Sequence, residues 1–185
     1  MGSSINDLEK RIAAFIPDPK QEHDPFILAC AKEAFAALRE GNFPVGSVLV
    51  RDGQVIESGH NRVFTPYFRS DLHAEMSVIT AAEDRLRGDP TVHSGSVLYS
   101  SLEPCLMCAL RLLNSGVGAV FYGAPDPKGG SAAVVDQLPV AREHMGQEAR
   151  ARFAPASCSD ELKKLCADLL SPVADKLCAL LEQRN

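Results

Sequence analysis

The sequence predicts an α/β protein in three layers, with helices on both faces of a mixed, roughly five-stranded central sheet. Segments with the apolar spacing of amphipathic helices alternate with short runs rich in β-branched residues, an order typical of this architecture. In the run from Val45 to Arg51, Val48 and Val50 would face one side of the sheet and Leu49 the other. Because both faces of this strand are apolar, we expect helices to cover the sheet on each side.

Local signals place the elements of the first third of the chain. Pro17 ends the first helix, while Asp24 and Pro25 begin the second helix and Gly41 follows its end. The pair Asp52-Gly53 separates two apolar runs, and this pair in that position is a strong signal for a β-hairpin. The predicted elements here are helices 5–16 and 24–40 and strands 45–51 and 54–59.

The remaining elements follow from the same kinds of signal. Asp71 is expected to cap the third helix, Pro104 to open the fourth and Gly116 to close it. Two further helical segments near the C-terminus are separated at Ser171-Pro172. The predicted elements here are helices 72–86, 105–113, 159–170 and 172–183 and strands 97–100 and 119–122.

The length of the chain favours a single domain. Its 185 residues are enough for one domain with a full hydrophobic core and hardly enough for two. We expect one domain over residues 1–185, with a core at about 24–135. The N-terminal helix 5–16 and the C-terminal helices 159–183 are expected to pack on that core.

Composition and charge are those of an ordinary soluble protein. Hydrophobic residues make up 45% and charged residues 23% of the chain. No segment approaches the roughly 20 apolar residues of a membrane span, and no apolar run of signal-peptide length occurs at the N-terminus, so we expect a cytoplasmic protein. The formal net charge of -5 argues against binding dominated by a phosphate backbone, although a local basic groove remains compatible with it.

The six cysteines do not indicate a disulfide framework, because a chain of this size and hydrophobicity does not need one. Cys30, Cys158, Cys166 and Cys178 each stand alone in a helical segment. In such places a free cysteine usually behaves as a small buried hydrophobic residue.

The strongest functional signal joins His73-Ala74-Glu75 to the close cysteine pair Cys105 and Cys108. Two thiolates and an imidazole are ligands suited to zinc, and three protein ligands leave the fourth tetrahedral position open for water. That is the arrangement of a catalytic zinc site. Glu75 can reach this water but is poorly placed to be a ligand. The pattern therefore predicts a zinc-activated hydroxide served by a carboxylate that shuttles protons.

A structural zinc site is the alternative for these residues. It would need a fourth protein ligand, for which Cys30, His60 and the C-terminal cysteines are candidates by residue type only. The glutamate two residues after the histidine and the proline before the cysteine pair favour the catalytic site.

Four motifs occur together in the order found in the cytidine-deaminase-like superfamily. They are Pro44-Val45-Gly46, Gly59-His60-Asn61-Arg62, His73-Ala74-Glu75 and Leu102-Glu103-Pro104-Cys105-Leu106-Met107-Cys108. The chain resembles this superfamily from Pro44 through Gly123, roughly half its length. The joint occurrence is highly specific, whereas a lone pair of cysteines at this spacing would not be.

The resemblance implies a role for each matching residue. His73, Cys105 and Cys108 would hold Zn²⁺, and Glu75 would act as the general base that takes the water proton and later protonates the ring nitrogen and the departing amino group. Asn61 would hold the substrate through hydrogen bonds. The pocket wall is expected to include Val45 and the backbones of Ala74 and Leu102.

The substrate is harder to predict. The motifs resemble the branch that holds tRNA adenosine deaminases, guanine deaminases and fungal-type cytosine deaminases. The segments 60–63 and 126–133 favour the tRNA enzymes, whereas the loop before His73, the absence of a basic C-terminal helix and the acidic net charge depart from their pattern. We therefore predict a hydrolytic deaminase of a free nucleobase, nucleoside or related amino-heterocycle. The alternative is a tRNA adenosine-to-inosine deaminase, followed by a zinc-bearing binding protein without turnover.

Two further expectations concern the surroundings of the site. The loop 62–71 is rich in aromatic residues, and Tyr67 and Phe68 would form a lid over the substrate unless their rings only pack the loop onto the body. The resemblance also implies a homodimer that pairs through helices beside the active site. The apolar C-terminal helices would suit either that interface or packing within one chain.

Overall fold

The computed structural model describes residues 4–87, 94–135, 153–171 and 173–183. We number the elements in chain order. The helices are α1 (Ile5–Ala14), α2 (Asp24–Arg39), α3 (Ala74–Arg85), α4 (Leu106–Ser115), α5 (Asp160–Leu170) and α6 (Ala174–Glu182), and the strands are β1 (Gly46–Arg51), β2 (Gln54–His60), β3 (Ser96–Leu102), β4 (Ala119–Ala124) and β5 (Phe153–Pro155).

The strands form one mixed five-stranded sheet in the order β2-β1-β3-β4-β5. Strand β1 pairs antiparallel with both β2 and β3, whereas β3, β4 and β5 run parallel. The predicted sheet is therefore confirmed, including its mixed character. Strand β5 was not placed from the sequence, because its three residues end in a proline and carry too little pattern to indicate a strand.

Each face of the sheet carries its own hydrophobic core. Val48 and Val50 belong to a core with buried residues of α1, α2 and α5, whereas Leu49 belongs to the core formed with α3 and α4. The alternation predicted for β1 is thus observed. It follows that helices cover the sheet on both sides in three layers.

The hairpin between β1 and β2 turns at the predicted pair of residues. Asp52 has a φ of 51° and Gly53 a φ of 74°. Positive φ at both central residues is the condition for the hairpin turn that matches the twist of the strands, and aspartate and glycine tolerate it best. The turn sets the register in which Arg51 pairs with Gln54.

Helix α3 begins later than predicted. Its N-cap is His73, in extended backbone conformation, and not Asp71. The Asp71 carboxylate instead accepts two hydrogen bonds from the Arg69 guanidinium, so it does not serve the helix. The correction moves His73 from the first turn to the position immediately before it.

None of the described helices is long and apolar enough to cross a membrane.

Candidate active site

Two helix starts and the end of a central strand meet at the site. His73 is the N-cap of α3 and Cys105 is the N-cap of α4, each with extended backbone and without a capping hydrogen bond from its side chain. Cys108 lies in the first turn of α4, so that it points to the same region as Cys105. Strand β3 ends at Leu102, three residues before Cys105. Because helix N-termini carry partial positive charge, this position favours thiolates and other anions.

The ligand atoms of His73, Cys105 and Cys108 lie within 4.8 Å of one another. The Nδ1 atom of His73 is 3.6 Å from each of the two Sγ atoms. Zinc–nitrogen and zinc–sulfur bonds of about 2.0 and 2.3 Å at a tetrahedral angle would place nitrogen and sulfur about 3.5 Å apart. The spacing therefore fits a zinc ion. In the described part of the chain, no fourth histidine, cysteine or acidic residue belongs to this group, which is the arrangement of a catalytic site and not of a structural one.

The three side chains influence one another's protonation. A hydrogen bond from Cys108 lowers the pKa of the Cys105 thiol to about 4, with a further contribution from His73. The same hydrogen bond, together with burial, raises the pKa of Cys108. Burial lowers the pKa of His73, but the Cys105 thiolate and Glu75 outweigh this effect, and the pKa of His73 is raised overall. The group thus already holds one thiolate, and a divalent cation would favour ionisation of the second thiol.

Glu75 lies beside this group and is almost completely buried, with 3% of its surface exposed. Its Oε2 atom is 3.4 Å from Cys108 Sγ, and its Oε1 atom accepts a hydrogen bond of 3.4 Å from Ser100 Oγ. Burial raises the pKa of the Glu75 carboxyl above its ordinary value. A carboxylate with a raised pKa is better suited to exchange protons near neutral pH than an exposed one.

One cavity of about 320 Å³ connects the metal-binding group to the surface. This volume lies at the lower end of the range for ligand pockets and corresponds to a small ligand. The lining residues come from six parts of the chain: Phe43 and Val45; Asn61; His73 and Glu75; Leu102, Glu103 and Cys105; Asp126, Lys128 and Gly129; and Leu170, Ala174, Cys178 and Leu181.

Three of the four predicted substrate-binding residues belong to the cavity wall. Asn61, Val45 and Leu102 line the cavity. Ala74 is fully buried and is not among the described lining residues. The Asn61 side chain oxygen accepts a hydrogen bond of 3.1 Å from the Val63 backbone, which leaves the amide NH₂ group as the donor available to a ligand.

The two residues predicted as a lid lie away from the lining. Tyr67 is 64% exposed, and neither Tyr67 nor Phe68 is among the described lining residues. Phe68 contacts Phe64 with a ring-centroid distance of 6.0 Å, and Phe64 contacts Phe43 at 5.6 Å. The aromatic loop therefore reaches the cavity through Phe43, which the sequence did not single out.

The segment after β4 is held over the site by Glu103. The carboxylate of Glu103 accepts hydrogen bonds from the backbones of Asp126 and Ala132 at 3.2 and 3.0 Å. A Cβ atom on Gly130 would come within 2.4 Å of Glu103, so this close approach requires glycine. The loop that follows β4 is thus tied to the residue that precedes Pro104 and Cys105.

The cysteines outside the metal-binding group are all free thiols. Cys30, Cys158 and Cys166 are buried in the core, as predicted. Cys178 differs, because it is only partly buried and lines the cavity from α6. Its position on a short C-terminal helix gave no sequence signal that it would reach the site.

Comparison with known proteins agrees with this geometry. Residues 20–124 match the family model for the cytidine and deoxycytidylate deaminase zinc-binding region. The tRNA-specific adenosine deaminase of Bacillus subtilis is 39% identical over 140 residues, which cover 76% of this chain and 81% of the relative. The corresponding enzyme of Aquifex aeolicus is 36% identical over 110 residues, covering 60% of this chain and 71% of the relative.

A solved structure from a study of A-to-I editing by tRNA:A34 deaminases is also similar. It has a TM-score of 0.56 and 35% sequence identity, and the match covers 62% of this chain and 88% of that one. The protein described here therefore belongs to the cytidine and deoxycytidylate deaminase zinc-binding family. It is a deaminase, a zinc-dependent hydrolase that acts on a C–N bond, so the predicted enzyme class and cofactor are confirmed.

Proposed function

We propose that this deaminase converts adenosine to inosine in tRNA. The observation that carries the proposal is the 39% identity to a tRNA-specific adenosine deaminase over 81% of that enzyme's length. The similarity supports this alternative better than the free heterocycle, which we expected from the loop before His73, the absence of a basic C-terminal helix and the acidic net charge. Net charge sums over the whole surface, whereas contact with an RNA loop depends on the charges around one cavity.

The residues of the cavity suit deamination of a base that has been turned out of its RNA strand. Such a base must enter a closely fitting pocket, and the volume of about 320 Å³ is of that scale. In this proposal His73, Cys105 and Cys108 hold zinc, and Asn61 donates a hydrogen bond to the base from its amide group. Val45 and Leu102 provide apolar parts of the wall.

Glu75 is assigned the proton transfers. Zinc, when bound, lowers the pKa of a coordinated water molecule toward neutrality and so supplies the nucleophile. The Glu75 carboxylate would take one proton from the water and deliver it to the ring nitrogen. It would then take the second proton from the hydroxyl group now bonded to the ring carbon and pass it to the amino group, which leaves as ammonia. Burial supports this role, because a raised pKa allows the same carboxyl group to accept and release a proton.

A free nucleobase or nucleoside is the second candidate substrate. It is favoured by one specific observation, which is that three residues of α6 line the cavity together with the metal-binding group. A wall at this place suits a small molecule that the protein can enclose. The same wall would also limit the space through which RNA enters.

Parallel assays of the zinc-loaded protein separate the two candidates. One assay measures inosine in a tRNA transcript and in an anticodon stem-loop, and the other measures ammonia from adenine, guanine, cytosine and their nucleosides. We expect inosine in the RNA and at most slow release from the small molecules. Rapid turnover of a small molecule with unmodified tRNA would overturn the proposal in favour of the second candidate.

Two further assignments accompany the proposal. We infer a homodimer, supported by Leu106 and Met107, which are 45% and 38% exposed at the start of α4 beside the site. A monomer in sedimentation measurements at micromolar concentration would contradict the homodimer.

We also infer a cytoplasmic location, supported by six free thiols, since disulfides are rare in that compartment.

A further inference from the structure

We propose that helix α6 is a displaceable wall of the substrate pocket, and that its position determines whether the site admits a free heterocycle or a nucleotide within RNA. The inference deepens the proposed function and rests on it for the identity of the larger substrate. It concerns residues 174–182, which lie outside the motifs that mark the family and outside the matched region 20–124.

One face of α6 is directed at the pocket. Ala174, Cys178 and Leu181 all line the cavity. They are spaced four and three residues apart, so they form a single stripe along the helix. The stripe is apolar, and it is continuous with Leu170 at the end of α5, which lines the same cavity. The wall therefore offers apolar contact to a planar ring and no charged group.

The attachment of α6 to the body is slight. Leu177 is its one buried residue, with 5% of its surface exposed, whereas Leu180 and Leu181 are 41% and 37% exposed. By contrast α5 buries four residues, namely Leu162, Leu165, Cys166 and Leu169. Segments with few buried apolar contacts open locally at low free-energy cost. Helix α6 can therefore leave the pocket while α5 stays in the core.

An ion pair joins α6 to the loop that follows β4. Lys128 lines the cavity, and its Nζ atom is 3.6 Å from Asp175 Oδ1. Both side chains are largely exposed, so the ion pair is weak and can exchange partners. Lys128 is the one lysine or arginine among the described residues that line the cavity. When α6 moves away, this cation becomes available to a phosphate group.

The two classes of substrate make opposite demands on this wall. A free base or nucleoside is enclosed best with α6 in place, since the stripe then supplies apolar contacts and excludes water. A nucleotide within RNA carries sugar and phosphate on both sides, and these groups need space at the mouth of the cavity. Release of α6 should therefore favour RNA and disfavour small substrates.

Alkylation of Cys178 measures the opening without any substrate. In the zinc-loaded protein Cys105 and Cys108 are occupied as ligands, and the three other cysteines are buried, so Cys178 is the thiol that a maleimide reaches. Loss of the label in Cys178→Ser identifies the site. We expect Leu177→Ala to raise the labelling rate roughly tenfold, because the variant removes the one buried anchor. The matched control Leu180→Ala removes a leucine of the same helix that does not line the cavity, and should change the rate less than about twofold.

Activity in the same variants tests the consequence for specificity. In Leu177→Ala we expect the ratio of kcat/KM for a stem-loop RNA to that for a free heterocycle to rise severalfold. In Leu180→Ala this ratio should stay unchanged.

Asp175→Lys provides a second variant at a 99% exposed position, where folding is not at risk. It replaces the ion pair with repulsion from Lys128 and should raise labelling at low salt only.

The outcomes separate this inference from the proposed function. Equal labelling rates in Leu177→Ala and Leu180→Ala, with no effect of Asp175→Lys at low salt, would overturn the displaceable wall whatever the substrate is. Faster labelling of Leu177→Ala with no inosine formed in any RNA would keep the wall and overturn the tRNA assignment. Faster labelling with an unchanged substrate ratio would overturn the role of α6 in specificity.

Discussion

Ser100 Oγ donates a hydrogen bond of 3.4 Å to Glu75 Oε1, which links the central strand β3 to the first turn of α3. Ser100 is completely buried, and Glu75 is exposed by only 3%. The contact therefore orients the carboxylate in a place where water cannot replace it. A positioning role for Ser100 follows, because Ser100 touches the proposed proton carrier and is absent from the cavity lining.

We predict that Ser100→Ala lowers kcat about three- to tenfold while the zinc content stays the same, because the carboxylate loses a hydrogen bond that orients it. The neighbouring Ser101 is the matched control. It is equally buried, but its hydroxyl accepts a hydrogen bond of 3.1 Å from Gly46 and does not contact Glu75. Ser101→Ala should lower the melting temperature and leave kcat unchanged. Equal losses of kcat in the two variants would contradict the positioning role.

Replacement of Glu75 by glutamine should abolish measurable ammonia release and inosine formation while zinc remains bound. The amide keeps the shape of the side chain but cannot accept and deliver protons, a loss expected to reduce the rate by at least about 10²- to 10⁴-fold. Metal analysis of the purified variant checks the zinc, and a timed assay checks the rate. Turnover at the wild-type rate would remove Glu75 from the mechanism.

Removal of a metal ligand should affect both stability and activity. Cys108 is completely buried at the centre of the group, and Cys108→Ser is expected to lose zinc at chelator concentrations that the wild type withstands. Because binding of zinc to the folded state stabilises it, the melting temperature should fall as well. Cys166→Ser alters a buried cysteine in the other core and serves as the control. Retention of zinc by Cys108→Ser would show that the ligand set is wrong.

A pH-dependent ion pair supports the end of β2, immediately before Asn61. His60 Nδ1 lies 2.7 Å from Glu33 Oε2, and Nε2 lies 3.2 Å from Glu40 Oε2. The hydrogen bond to Glu33 raises the pKa of His60 above 6.5, and the same bond lowers the pKa of Glu33 below 4.5. The stabilisation of the fold by charged His60 is therefore complete below pH 6.5, and it is lost as the pH rises through the folded-state pKa of His60. The stabilisation by charged Glu33 is present above pH 4.5, and it is lost as the pH falls through the folded-state pKa of Glu33.

We predict that His60→Gln destabilises the fold most between pH 4.5 and 6.5, where both partners are charged. Because the two side chains are partly solvent-exposed, the loss should be only about 0.5–1 kcal/mol. Urea unfolding of wild type and variant at several pH values measures the difference. A difference that grows above pH 8 would contradict the assignment.

Asn42 holds the aromatic loop against the body. It is completely buried, and its side chain oxygen accepts hydrogen bonds of 2.8 and 3.1 Å from the backbones of Phe64 and Thr65. Asn42→Ala leaves both donors without this acceptor and should cost about 1–3 kcal/mol of unfolding free energy. Substitution of the exposed Asn114 by alanine should cost much less. If thermal melts of the two variants agree, Asn42 does not hold the loop.

Much of the fold could be predicted because its signals are local. The hairpin at Asp52-Gly53 and the closure of α4 at Gly116 depend on positive φ, which few residues tolerate, so the residue type reveals the geometry. The zinc-binding group was predictable for a related reason, since the ligand types and their spacing carry the chemistry. Strand β5 was missed because three residues cannot show a period, and the start of α3 was misplaced because Asp71 pairs with Arg69.

The sequence by itself determined the layered architecture, the metal and the class of reaction, since each depends on residue types, local periodicity and motifs that are visible along the chain before it is folded. Only the tertiary structure decided which distant residues enclose the substrate. Phe43 from the segment after α2, Lys128 from the loop after β4 and Cys178 from α6 meet at one cavity although they are far apart in the chain. Their meeting depends on how the helices pack on the sheet, and that packing is set by the whole core and not by any local pattern.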